Sequence, residues 1–285
     1  MNEDKLSKQL VDVIANVKIP EEIKIKKVKY LLYLGANIDA IEEKEFKTAL
    51  MLAAENDEVM LAKVLLEKGA DVNALCIGNY NVLMLAADSR NENVAEFFMK
   101  EKQLFEQEDY KGRTAIELAS QAGALKIVQR LFEEGAVYRD KENPCLFLAA
   151  EYGHLDVVKF WLDKGKDVNY KNKYRQNALM AAAKHGQTEM VHFLLEKGAK
   201  VNEVAKDGST ALLNAINGDY TEIVNVLLEN GATFDIVNKK CMDALTMAVF
   251  WDNKEVQDLL KNKIDENKAK EKIGVDLLKI ENKGR

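Results

Sequence analysis

One spacing dominates this chain. Seven residue pairs, Ala49-Leu50, Val82-Leu83, Ala115-Ile116, Cys145-Leu146, Ala178-Leu179, Ala211-Leu212 and Ala244-Leu245, recur at steps of 33, 33, 30, 33, 33 and 33 residues. Three residues after each Leu or Ile stands an alanine: Ala53, Ala86, Ala119, Ala149, Ala182, Ala215 and Ala248. A period of this length marks a repeat array, in which a unit buries its apolar face only when a neighbour stacks on it. Such arrays grow by adding units that touch only adjacent ones, so the 285 residues predict one continuous body rather than two ordinary domains.

Each unit reads as two helices. Thr48, Asn81, Thr114, Asn177, Thr210 or Asp243 precedes the first helix, where a side-chain oxygen can accept from an orphan N–H of the opening turn. In the remaining copy Asn143 caps, and Pro144 takes the first helical position, where its missing N–H costs nothing. The small alanine lets first helices approach closely. Second helices carry bulkier pairs, such as Leu65-Leu66, Leu131-Phe132, Trp161-Leu162 and Leu227-Leu228. The units close on Gly69-Ala70, Gly135-Ala136, Gly198-Ala199 and Gly231-Ala232, with Gly35-Ala36 and Gly165-Lys166 as near copies. This glycine is placed at C′, where a positive φ costs a residue with a Cβ about 1 kcal/mol. Lys102 takes the glycine position in one unit, and the single 30-residue step leaves the loop around Arg139 to Asn143 three residues short.

At the start, Leu6, Leu10, Val13, Ile14 and Val17 form one helical stripe over residues 4 to 17, and Pro20 stops that helix before Glu21 opens the next. In this second helix Val28, Leu31 and Leu32 align with apolar positions of later units, while Lys24, Lys26, Lys27 and Lys29 are expected to face solvent, as suits a terminal pair. From Lys263 to Arg285 charges of both signs surround Ala269, Ile273, Leu277 and Ile280 at helical spacing, with Gly274 weakening the helix.

Together these residues resemble the ankyrin repeat, whose pattern runs Thr-Pro-Leu-His-x-Ala-Ala, Gly-His, Ile-Val, Leu-Leu and Gly-Ala. The resemblance covers residues 21 to 262, and is closest at Glu151 to Val158 and at Met190 to Ala199. No copy carries the proline or the histidine of Thr-Pro-Leu-His; Met51, Met84, Glu117, Phe147, Met180, Leu213 and Thr246 occupy the histidine position. The resemblance implies an all-α solenoid of about eight helix-turn-helix units with short finger loops. It would span residues 1–262, with 1–38 as an N-terminal cap pair, followed by a charged tail or capping helix over 263–285.

Composition and motifs narrow the chemistry. The 47% hydrophobic fraction suffices for a core, and a net charge of -6 argues against general nucleic-acid binding, which needs a basic face. No run of 18 apolar residues occurs, and no apolar segment of signal-peptide kind follows Met1. Cys76, Cys145 and Cys241 are odd in number and far apart, which suggests neither a disulfide framework nor a zinc cluster and fits a reducing cytoplasm. Glycine-rich phosphate loops and His-Glu-x-x-His are absent, so no cofactor and no metal is expected. The carboxylate pairs Glu21-Glu22 and Glu133-Glu134 read as solvated helical faces, and no cysteine has a base at a defined distance. His154 stands at the structural Gly-His position of the repeat; His192 lies at a helix edge.

What the resemblance does imply is a surface for a protein partner, made by the fingers and the exposed ends of first helices. Carried over by position, it comprises Phe46, Tyr80, Tyr110, Lys111, Arg113, Tyr152, Lys173, Tyr174, Arg175, His185, Lys240, Met242, Phe250 and Trp251. Aromatics and arginine are the types enriched at binding hot spots. For Phe250 and Trp251, near the end of the array, packing against neighbouring chain is the competing reading. The finger from Lys171 to Arg175 holds three cations and no acid, whereas the one from Glu42 to Lys47 holds Glu42, Glu43 and Glu45. With Lys239-Lys240 further on, this polarity points to an acidic protein partner rather than nucleic acid or membrane. The expected role is that of a monomeric, non-catalytic scaffold or adaptor in the cytoplasm. A stoichiometric inhibitor such as an immunity protein for a toxin and an effector exported without a Sec signal are alternatives, and an enzyme is a distant one.

Overall fold

The structure is a computed structural model and describes residues 2–136, 145–266 and 268. The finger from Arg139 to Asn143, the Asn143-Pro144 start and the apolar positions Ala269 to Ile280 lie outside the described residues. Consecutive helices form pairs: α1 (Glu3–Ala15) with α2 (Glu21–Tyr33), α3 (Ala49–Glu55) with α4 (Val59–Glu67), α5 (Val82–Asp88) with α6 (Glu92–Phe98), and α7 (Ala115–Ala122) with α8 (Leu125–Glu133). They continue with α9 (Cys145–Glu151), α10 (Leu155–Asp163), α11 (Ala178–Lys184), α12 (Thr188–Glu196), α13 (Ala211–Asn217), α14 (Thr221–Glu229) and α15 (Ala244–Phe250), and a last helix runs over 254–266. A short 3₁₀ turn, Lys102–Leu104, replaces the usual glycine close after α6. Among the described residues the only β feature is an isolated bridge between Ile41 and Thr48.

The chain divides into two compact units, Met1–Ala149 with His154–Lys164, and Ala150–Gly153 with Gly165–Arg285. The period leads one to expect a single body. In an array whose elements touch only their neighbours, however, contacts cluster locally and nothing long-range gathers all of them together. In the first unit, first helices stack in the order α1, α3, α5, α7 and second helices in the order α2, α4, α6, α8, α10; in the second unit, α11, α13 and α15 stack, as do α12 and α14.

The seven period alanines have no exposed surface at all, and the apolar residue three before each is buried in six cases: Leu50, Leu83, Ile116, Leu146, Leu179 and Leu212. Leu245 is only half-buried, because no described helix stacks on the far side of α15. Beneath the second helices, Val128, Leu131, Val158 and Trp161 are sealed, and the Trp161 indole donates to Ser120 Oγ at 3.2 Å.

All six described caps form as the sequence predicts. Thr48, Asn81, Asn177, Thr210 and Asp243 each accept from the N–H three residues on, and Thr114 makes a capping box with Glu117. The closing glycines lie at positive φ, from 80° at Gly135 to 95° at Gly35. Two expectations at the start fail. Val17 lies beyond the end of α1 and is exposed, since the helix stops at Ala15. Lys24 is fully buried rather than solvated: its ammonium donates to the carbonyl of Ile14 at 2.7 Å and to Glu58 at 2.6 Å, satisfying the free end of α1.

Glu58 begins a second column at repeat spacing, continued by Asn91, His154 and Gln187, whose side chains reach back to the end of the preceding first helix. Asn91 donates to the carbonyls of Ala54 and Glu55, Gln187 to that of Glu151, and His154 bonds the backbone of Gln121. The His154 ring lies over Gly123, at φ 75°, where any Cβ would collide with the imidazole. Burial, helped by the Arg90 charge and opposed by the Gln121 bond and Asp156, lowers the His154 pKa below its ordinary 6.5.

Two outcomes follow. Replacing the fully buried Leu179 with Ala should cost roughly 2 to 5 kcal/mol in denaturant melts, since the neighbouring α12 and α13 can close the cavity only in part. For His154 the native state resists a proton that the unfolded chain accepts, so its contribution is present above about pH 6.5 and is lost as the pH falls towards the depressed native value. Thermal melts between neutral and mildly acid pH should therefore show a drop in stability that is smaller in His154→Gln.

Candidate functional site

Each described finger is a tight hairpin. The N–H of Cys76, Asp109, Asn172, Ala205 and Asn238 donates to the carbonyl four residues on, at 2.9 to 3.1 Å. Side chains at the same position hold the tip: Asp109, Asn172 and Asn238 each accept from the N–H groups two and four residues ahead. Successive fingers are tied by one main-chain bond each. In the first unit Ile77 N–H donates to Glu45 and Tyr110 N–H to Gly78; in the second, Lys206 N–H donates to Tyr174 and Lys239 N–H to Asp207. These bonds set neighbouring fingers in register.

The tip residue itself takes positive φ in every described finger: Phe46 at 56°, Asn79 at 62°, Gly112 at 75°, Arg175 at 60°, Gly208 at 80° and Cys241 at 57°. Glycine is the relaxed choice there, and a side chain costs about 1 kcal/mol. Phe46, Arg175 and Cys241 nevertheless project from such positions, all exposed.

In the first unit Tyr110 is 66% exposed, and the Lys111 ammonium stands over its ring at 5.3 Å. Arg113 behaves otherwise. Its guanidinium is buried, donates to Asp109 at 2.6 and 2.8 Å and to the Tyr80 hydroxyl at 2.9 Å, and reaches Gln121 on α7. It is therefore a brace between finger, helix and the preceding finger, and it leaves the exposed set. Tyr80 is half-buried by the same contact, and burial raises the pKa of its hydroxyl. Lys47, one repeat before Tyr80, bonds Glu55 at 2.7 Å and also pairs with Glu45.

In the second unit Tyr152, Lys173, Tyr174, Arg175, His185, Lys240, Phe250 and Trp251 are all exposed, and Met242 is half-buried. His185 Nε2 lies 3.0 Å from Glu151 Oε1, and the rings of Phe250 and Trp251 meet edge to face at 5.0 Å. The Lys173 ammonium stands over the Tyr174 ring at 5.4 Å. The charge of Lys171 is answered by Glu203 from the next finger, so that finger is less basic than its own residues suggest. Against this, Lys206 is exposed at the position one repeat after Lys173 and one before Lys239. The signal was present in the sequence as the 33-residue step linking the three. Among the described residues no group of three His, Cys, Asp or Glu is placed to hold a metal ion, and no helix is long and apolar enough to cross a membrane.

A family model for ankyrin repeats matches residues 21–107, 75–142, 116–205 and 146–239. The chain belongs to the ankyrin repeat family. Its ankyrin segment is similar to the ankyrin repeat and KH domain-containing protein CBG24701 of Caenorhabditis briggsae, 32% identical over 147 residues, which is 51% of this chain and 5% of that protein. It is also similar to alpha-latroinsectotoxin-Lt1a of Latrodectus tredecimguttatus, 30% identical over 112 residues, 38% of this chain and 8% of the toxin. The chain thus spans less than a tenth of either relative. Among solved structures the human ASB11 ankyrin repeat domain superposes with a TM-score of 0.63 at 22% identity, covering 70% of this chain and 91% of that domain. Ankyrin repeats serve in general as protein-interaction modules, and the two departures from the usual motif leave the repeat intact: Asn or Thr caps without the following proline, and Met51, Met84 and Met180 fill the histidine position as buried core.

Because the Asp109 side chain is itself fully buried, Arg113→Met should leave its carboxylate without a counter-charge and destabilise the chain by roughly 3 kcal/mol. Tyr110→Ala, an exposed change three residues from Arg113 on the same finger, should leave the denaturation midpoint within experimental scatter.

Proposed function

We propose that this ankyrin array is a non-catalytic, monomeric module that takes a protein partner on its finger tips and on the exposed ends of its first helices. What supports this is the contrast along each unit. The faces that neighbours cover are closed by alanine, leucine and methionine, yet Tyr110, Tyr152 and Tyr174 hold large aromatic surface in water at 66%, 51% and 54% exposure. Rigid aromatics offer desolvated contact area at little entropic cost. Arg175 and Phe46 add side chains at backbone positions that glycine would fill more cheaply, a strain that a packing role does not repay.

The partner is to be isolated by affinity capture with the whole chain as bait, identified by mass spectrometry and titrated calorimetrically. Tyr152→Ala and Tyr174→Ala should each weaken binding by more than about 1 kcal/mol with melting unchanged. Unchanged affinity in both variants would place the contact elsewhere on the molecule.

A further inference from the structure

Three lysines of the second unit stand at one position of three successive fingers. Lys173, Lys206 and Lys239 are each exposed, and the fingers that carry them are fixed in register by the main-chain bonds from Lys206 to Tyr174 and from Lys239 to Asp207. The first helices behind them, α11, α13 and α15, stack side by side. Packed helices lie about 8 to 10 Å apart, so the backbones that carry the three amines form a ladder with rungs at about that distance. Tyr174 and Arg175 flank the first rung, and Lys240 adjoins the last.

We infer that this ladder binds an extended acidic polypeptide segment whose carboxylates recur at every third residue. The inference rests on the protein-binding reading above and adds the chemistry and spacing of the ligand. A polyproline-II chain rises about 3.1 Å per residue with three residues per turn, so every third side chain returns to one face after about 9 Å, which matches the rungs. A β-strand places like-facing side chains about 6.6 or 13 Å apart and misses them. An α-helix meets the distance only at every seventh residue, and leaves two turns of side chain to clear the tips. Nucleic acid is disfavoured because Glu203 and Asp207 fall between these lysines in the sequence, Asp207 directly beside Lys206, and the chain as a whole carries -6. A local carboxylate can be threaded between such acids, whereas a continuous phosphate backbone meets them all.

The test uses the whole chain and fluorescein-labelled peptides of equal length, composition and charge, with glutamates at every third residue, at every seventh, or clustered. At low salt, anisotropy should rank the every-third peptide about fivefold tighter than either isomer, with the advantage fading as salt rises. Lys206→Glu and Lys239→Glu should each remove that preference, while Lys29→Glu, the same charge change at an exposed site on α2, should keep it. Equal binding of the three peptides, equal loss in the Lys29 variant, no peptide binding, or tighter binding of an oligothymidylate would each overturn the inference. If the peptides fail while Tyr152→Ala and Tyr174→Ala still weaken a captured partner, only the spacing and charge argued here fall. If those tyrosine changes leave the partner's affinity intact, it is the finger surface itself that is wrong.

Discussion

The structure depends on apolar surface that no helix pair can bury alone. A pair of helices seven to nine residues long is too short to be stable in isolation, because helix nucleation is costly and each element closes few backbone bonds. Stability comes when the first helix of one pair meets the first helix of the next, and the atom count at that meeting is limited to a methyl group: every period alanine is sealed completely. A larger side chain would separate the helices, and glycine would leave a void and loosen the backbone. The bulkier second layer, with Trp161, Phe98 and the leucines, fills the wider space behind.

A polar system depends on this contact in turn. Close stacking brings the end of each first helix, with its unsatisfied carbonyls, beneath the loop of the next pair, and Asn91, His154 and Gln187 supply the donors those carbonyls lack. Lys24 does the same for α1 with a charged donor, which requires Glu58 to accompany it into the interior. The fingers follow the same spacing through one main-chain bond apiece. Surface loops tied in this manner gain a fixed register without a sheet, which lets side chains on successive tips act as one row.

Much of this was legible in the sequence because the repeat supplies its own alignment. Seven copies of one pattern place the caps, the closing glycines and the buried columns, and among the described residues the structure has six caps and, Leu245 apart, the buried columns where the spacing puts them. What escaped is what depends on a neighbour's side chain. Lys24 resembles Lys26 and Lys27 in the chain, yet it alone meets a free carbonyl and a carboxylate contributed from residue 58. Lys171 lies in a finger with no acid of its own, yet its charge is met by Glu203 from the next one. Val17 and Leu245 deviate because elements end or lack a covering neighbour there, which a periodic pattern does not record.

The two finger arginines show how register, rather than residue type, separates structure from recognition. Arg113 occupies the base of its finger, one repeat after Tyr80, where the chain turns inward to its cap; there a long cation can reach Asp109, Gln121 and Tyr80 together, and it is buried by doing so. Arg175 lies one position earlier in the unit, at the place of Gly112 and Gly208, where φ is positive. The side chain remains in water. A type such as arginine, enriched at interfaces for its planar fork and its stem, thus serves stability at one position and is displayed at the next. In a repeat protein the useful question about a candidate contact residue is which column it occupies. The column of Lys47, Tyr80 and Arg113, whose polar groups are engaged within the repeat, belongs to the scaffold, and the next column towards the tip, where Gly112 and Gly208 share a place with exposed Phe46 and Arg175, belongs to the surface that the scaffold presents.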